Sequence, residues 1–208
     1  LIRERPVVTT AEPVLRERVL EGAYECVARF GIAKTTIEDV VKESGVSRAT
    51  VYRVFPGGKD QLLRAAVGWE MARFFGRLAD AVAGAPDFAS LVESGLIYAH
   101  TAVHGHEVLQ KVLITEPERL LPLLTVEQER PLEFITAFLL PYLEREQEAG
   151  RVRDGVELAE SADFVARMIL SLIGSHGDWD LDDPAQVHSL VRGQLLAGIL
   201  TTEALTPS

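Results

Sequence analysis

Three groups of residues in this chain have types and spacings that could do chemistry. Between residues 36 and 59 stand Thr36, Ser47, Arg48, Ala49, Thr50, Tyr52, Arg53 and Lys59, a run of hydroxyls and cations suited to phosphate oxygens and base edges. His100 and His104 lie four apart, which puts two imidazoles on one helical face, with His106, Glu107 or His176 as possible third ligands of a metal. Phe134, Phe138 and Tyr142 recur every four residues beside Pro141, a pattern that could line an apolar cavity opposite Trp69, Phe74, Tyr98 and Leu113.

Each group has a plainer reading. An aromatic stripe at helical spacing is commonly core, and two helical histidines commonly sit at a core edge. The His-x-x-x-His spacing lacks the internal Glu of a zinc hydrolase, and Gly105 interrupts the helix toward His106. Cys26 has no partner cysteine and lies on an expected packing face, so it is read as a small buried apolar residue. The sequence contains no Gly-rich phosphate loop, no G-x-S-x-G elbow and no carboxylate pair at a catalytic spacing, so no catalytic residue, resident metal or cofactor is expected.

Composition narrows the class. The chain has 208 residues, 47% hydrophobic and 25% charged, enough apolar surface for one or two folded domains and too much for disorder. No apolar run reaches the roughly 20 residues needed to span a bilayer, and the single cysteine fits a reducing compartment, so a cytoplasmic protein with no membrane partner is expected. The net charge of -10 is unevenly placed: residues 1–60 hold 10 Lys+Arg against 9 Asp+Glu, and residues 61–208 hold 11 against 22. An acidic whole disfavours nucleic acid, but a locally basic footprint suffices if the acidic part is held away from the duplex.

The elements that must position these residues read as helices. Apolar residues recur at intervals of three and four between Gly, Pro and Asp clusters, without strand-like alternation of useful length, which predicts an all-α fold of about nine helices. A first helix follows Pro13 with Val19, Ala23, Cys26, Val27 and Phe30 on one face and ends at Gly31. Thr36 and Asp39 form a capping box for a short helix through Glu43, Gly45 permits a tight turn, and Ser47 starts a helix over Arg48 to Phe55. Further helices are expected over about Lys59 to Ala83, Phe88 to Val103, Gly105 to Thr115, Val126 to Ala149 with a bend at Pro141, Glu157 to Gly174, and Pro184 to about Leu200.

The segment Thr36 to Phe55 thus has the plan of a helix-turn-helix, held by Ile37, Val40, Val46 and Val51. Its residues, Thr36-Ile-Glu-Asp-Val followed by Ser44-Gly-Val-Ser-Arg-Ala-Thr-Val-Tyr-Arg-Val-Phe-Pro and then Lys59, resemble the DNA-binding domain of TetR-type (TetR/AcrR) transcriptional regulators. The resemblance covers about residues 14–63, and beyond them only the number and order of helices agree. Val41, Ser44, Val54 and Gly57-Gly58 depart from the usual pattern.

The resemblance implies an arm at 1–13, a helix-turn-helix DNA-binding domain at 14–58 and an effector-binding and dimerisation domain at 59–208. It implies a homodimer that binds a palindromic double-stranded DNA operator, most simply as a repressor, released by a small hydrophobic or amphipathic effector. Thr36, Ser47, Arg48, Ala49, Thr50, Tyr52, Arg53 and Lys59 are then the expected DNA contacts, Tyr52 and Lys59 on phosphate. Trp69, Phe74, Tyr98, His100, His104, Leu113, Phe134, Phe138, Tyr142, Met168, Leu172 and His176 are candidates for the effector. Apolar faces with small residues in the last two helices mark Phe164, Val165, Met168, Ile169, Leu172, Gly193 and Ala197 as a dimer interface. Two alternatives stay open: a helical metal enzyme using His100, His104 and His106, and a protein-interaction module of the same fold that no longer binds DNA.

Overall fold

The computed structural model describes residues 11–120, 129–175 and 177–206. Among them the regular structure is helical, and the one β feature is an isolated antiparallel bridge between Val152 and Leu200. The chain forms two compact units, one of residues 1–73 with 108–125, the other of 74–107 with 126–208. This division by packing falls elsewhere than the functional one expected at Gly58/Lys59.

In the first unit, α1 (Ala11–Lys34), α2 (Ile37–Ser44) and α3 (Arg48–Val54) are followed by the start of α4 (Gly58–Val82), while α6 (Glu107–Thr115) supplies most of its length. Their core joins Val19, Leu20, Ala23 and Cys26 to Ile37, Val40, Val46, Val51, Phe55, Leu62 and Ala66. The three- and four-residue spacing along α1 turns these side chains inward, as read from the sequence, with one exception. Phe30 is exposed, because the backbone kinks at Gly31 (φ 81°, ψ 172°) and Ile32 takes the buried place, packing with Leu63, Val112 and Leu120. Cys26 is buried, and that burial, followed by the nearby carboxylates of Asp39 and Glu43, pushes its thiol pKa up, against any thiolate chemistry.

The kink leaves the end of α1 to be tied by side chains from elsewhere in the same unit. Lys111 Nζ donates to the Ala28 carbonyl at 2.7 Å, Lys59 Nζ to the Ala33 carbonyl at 3.0 Å, and Ala33 N–H to Glu116 Oε2 at 2.7 Å. Helix ends leave backbone groups without internal partners, and these three side chains supply them.

The second unit holds the remainder of α4 with α5 (Phe88–His104), α7 (Glu129–Glu148), α8 (Leu158–Gly174), α9 (Pro184–Leu190) and α10 (Thr202–Leu205). The start expected for α7 at Val126 lies outside the described residues; the helix continues through Pro141, which is exposed. Its core draws Phe88, Val92 and Leu96 from α5, Leu139 and Leu143 from α7, Val165, Ile169 and Leu172 from α8, and Val187 from α9. Asp183 caps α9 by accepting from Ala185 N–H, with Pro184 at the first helical position, as the sequence indicates.

The expectation of one helix from Pro184 to Leu200 is corrected. After Leu190 the chain passes through a π-helical turn, Val191–Leu195, in which Leu196 N–H reaches back to the Val191 carbonyl, and then leaves helical geometry. Gly193 and Gly198 weaken the helix there, and the backbone finds other partners: Arg153 N–H donates to Ile199 O and Thr201 N–H to Arg151 O. The π turn carries Arg192, which is buried. Its guanidinium donates to Glu93 (2.6 Å), Asp87 (3.3 Å) and Ser90 (3.0 Å) and to the carbonyls of Ala204 and Leu205 in α10. Burial alone would raise the Asp87 pKa; the Ser90 N–H and hydroxyl and Arg192 outweigh it and hold that carboxyl below its ordinary value.

Candidate nucleic-acid interface

The geometry of Thr36 to Phe55 follows from local chemistry. Thr36 is extended (φ -117°), its hydroxyl accepts from Asp39 N–H, and Asp39 Oδ2 accepts from Thr36 N–H at 3.1 Å, which closes the capping box. The Thr36 hydroxyl also donates to Asp39 Oδ2 at 2.6 Å, and this bond first, then the Thr36 N–H, holds the Asp39 pKa below its ordinary value. Gly45 (φ 64°) ends α2 in the left-handed region that favours glycine, and Arg18 Nη2 donates to the Ser44 carbonyl at 2.8 Å. A Cβ at Gly22 would press on Ser44, so glycine there permits the close approach of α1 and α2.

Ser47 caps α3 by accepting from Thr50 N–H, and its hydroxyl lies 3.0 Å from Thr50 Oγ1. Val51 and Phe55 are fully buried beneath the helix, which fixes its rotation and turns the opposite face outward. That face carries Ser47, Arg48, Ala49, Tyr52 and Arg53, all exposed, with Thr50 half-buried at its edge. Arg48 lies over the Tyr52 ring at 5.6 Å, and its Nη1 contacts Glu38 Oε1 at 2.5 Å. Arg53 Nη1 is 3.8 Å from Glu12 Oε1. Gly58 (φ 65°) lets the chain turn directly into α4, and Gly57 N–H donates to Gln61 Oε1 at 2.7 Å, so Gln61 supplies the capping contact that the departures at Gly57-Gly58 removed.

Of the DNA-contact candidates, Thr36 is an exposed N-cap and the α3 residues share one face. Lys59 is half-buried, with its ammonium on the end of α1, a contact that leaves N–H donors over. Sequence reasoning missed Glu12 and Glu38, whose pairing with arginines crosses between helices and leaves no spacing signal.

The effector candidates divide. Trp69 and Leu113 belong to the first unit, and Trp69 carries the Arg73 guanidinium over its ring at 4.5 Å. In the second unit Phe74 meets Tyr98 (6.1 Å between ring centroids) and Phe75, and Phe75 meets Phe134 at 4.4 Å, so Phe75, adjacent to a named candidate, completes an aromatic group. Phe138 and Tyr142 pair separately at 5.4 Å. His100 is buried and stacks on His104, whose Nδ1 lies 3.0 Å from the His100 carbonyl oxygen. His176 lies outside the described residues, and among those described no three His, Cys, Asp or Glu side chains are grouped to hold a metal ion. Of the interface candidates, Val165, Ile169 and Leu172 are buried in this chain's own core, where the three- and four-residue steps of α8 turn them inward. Phe164 and Met168 are exposed on the same helix, and Gly193 and Gly198 have open space where a side chain would be.

Residues 19–66 match the family described as bacterial regulatory proteins, tetR family. Over 196 residues the chain is 24% identical to the HTH-type transcriptional regulator UidR of Escherichia coli (strain K12), covering 93% of this chain and 96% of that one. Two solved structures share the fold: a SmeT–triclosan complex (TM-score 0.60, 22% identity, 94% of this chain and 96% of that one) and the TetR family regulator CifR with 26-bp double-strand operator DNA (TM-score 0.59, 17% identity, 86% and 98%). With its capped α2, glycine turn and outward-facing α3, the segment 19–66 is a helix-turn-helix that matches the tetR family of bacterial regulatory proteins.

Proposed function

We propose that the protein is a homodimeric, sequence-specific repressor in the cytoplasm that reads a palindromic or nearly palindromic operator and is released by a small hydrophobic or amphipathic effector. The observation that carries this reading is the face of α3, where Arg48, Tyr52 and Arg53 stand exposed above the locked pair Val51 and Phe55. Inserted into a major groove, Arg48 and Arg53 reach base edges, Ala49 and Thr50 lie close to them, and Thr36, Ser47, Tyr52 and Lys59 hold the phosphates. Functionally, 14–58 binds DNA and 59–208 binds effector and partner.

Dimerisation is assigned to the exposed Phe164 and Met168 of α8 with Gly193, Ala197 and Gly198, whose small size allows close approach. A two-fold pair of recognition helices spans about one DNA turn, roughly 34–36 Å. The aromatic group Phe74, Phe75, Tyr98 and Phe134 supplies an effector wall, a reading supported by the triclosan complex of SmeT. Because α4 contributes residues to both compact units, a ligand that favours one position of α4 changes the separation of the two α3 helices. On a duplex that the protein prefers, Arg48→Ala relaxes preference at particular base pairs, whereas Lys59→Ala weakens binding on all sequences and lowers the salt slope by about one. If neither variant changes DNA binding while both fold as the wild type, the assignment fails and the DNA-silent module takes its place.

A further inference from the structure

The cations of the reading face are already met by anions of the protein itself. Arg48 Nη1 touches Glu38 Oε1 at 2.5 Å, and Arg53 Nη1 lies 3.8 Å from Glu12 Oε1, so both α3 arginines have a carboxylate from another helix beside them. The four side chains are between 45% and 62% exposed, so these pairs contribute little to folding. Glu38 is in the first turn of α2 and Glu12 in the first turn of α1, so each anion stands on a helix start rather than on a loose loop. The pairing recurs at Arg29 with Glu43, 2.8 Å apart, and Lys59 and Lys111 each also donate from the ammonium to a backbone carbonyl of α1.

We propose that Glu38 and Glu12 are specificity-determining residues that stand in for phosphate and suppress sequence-independent binding. The inference rests on the reading of α3 as the DNA-contacting helix. A phosphate that seeks Arg48 exchanges one anion for another and must also approach the Glu38 charge, so its net gain is small. A guanine edge presents the uncharged acceptors O6 and N7, which a carboxylate repels far less than a charged phosphate, and it can still receive N–H groups of the guanidinium that Glu38 and the Tyr52 ring hold in place. The carboxylates therefore subtract from the phosphate term and leave most of the base term, which raises the ratio of specific to non-specific binding.

The test is anisotropy of a labelled short mixed-sequence duplex titrated with the full chain over a range of salt concentrations. Glu38→Gln and Glu12→Gln should each tighten binding about 2- to 5-fold at low salt, the range of an exposed ion pair, and steepen the salt slope by about one. Asp154→Asn, the same charge change at an exposed loop position of the second unit, should not. The Glu38→Gln gain should shrink toward nothing in an Arg48→Ala background, because the carboxylate acts through its pairing. Equal gains from all three substitutions, no gain from either glutamate, or a Glu38→Gln gain that survives Arg48→Ala would overturn the proposal. Failure of the DNA reading itself gives a different result: Arg48→Ala/Arg53→Ala would then leave the wild-type affinity for the duplex unchanged.

Discussion

Replacing Gly31 with alanine attacks the joint that ends α1. Its backbone (φ 81°, ψ 172°) lies in a region that only glycine occupies cheaply, and holding another residue there costs about 1–3 kcal/mol. A Cβ would also overlap Glu116 Oε1, so the carboxylate has to leave and release the Ala33 N–H it accepts at 2.7 Å. A flexible carboxylate moves without disturbing the backbone, so this second loss is that of one charge-assisted hydrogen bond at an exposed site, about 1 kcal/mol. The expected total is about 2–4 kcal/mol, read as a drop in urea midpoint of the transition that includes the first unit. A double-mutant cycle separates the terms: Glu116→Ala should cost about 1 kcal/mol alone and nearly nothing once Gly31→Ala is present. A Gly31→Ala protein within about 0.5 kcal/mol of wild type, or a Glu116→Ala cost that is equal in both backgrounds, would refute the reasoning.

Two further outcomes follow from the hydrogen-bond chemistry. Thr36→Ala removes the α2 cap and should destabilise the first unit by about 1 kcal/mol. In the same variant the Asp39 carboxyl, read by NMR titration, should move up toward its ordinary value; because its pKa is depressed in the folded protein, its contribution is present above the unfolded value and is lost as pH falls through the folded one, and an unmoved Asp39 would contradict the cap. Arg192→Ala strands Asp87, Glu93 and two α10 carbonyls, a loss of about 3–5 kcal/mol for a broken buried pair, seen as a lower unfolding midpoint and earlier proteolysis after Leu200.

What was legible in the sequence was local. The Thr36/Asp39 box, the Gly45 turn, the Ser47 cap and the Asp183-Pro184 start are each written in residues at most three apart, and the structure forms all of them. Residues 19, 23 and 26 follow one helical face and are buried, but Phe30 fails because the kink one residue later ends the face on which that spacing depends. The last helix ends before the sequence indicates because its end is set by partners 46 and 50 residues away, the backbone of Arg153 and Arg151, and by a buried arginine whose acceptors lie on α5 and α10. Glu12 and Glu38 escaped for the same reason: a pairing between helices has no periodicity. Of the aromatic group in the second unit, the sequence singles out Phe74, Tyr98 and Phe134 but not Phe75, which joins Phe134 to them through a contact between helices that has no spacing signal.

The central claim is that α3 reads DNA sequence in a two-fold dimer. It is tested most directly by selecting bound sequences from a random duplex pool at a stated salt concentration, with the wild type beside the Arg48→Ala/Tyr52→Ala double variant. The account predicts that the wild type alone enriches a palindrome whose half-sites lie about one DNA turn apart. Enrichment of the same sequence by both proteins, or of none by a folded, dimeric wild type, would contradict it.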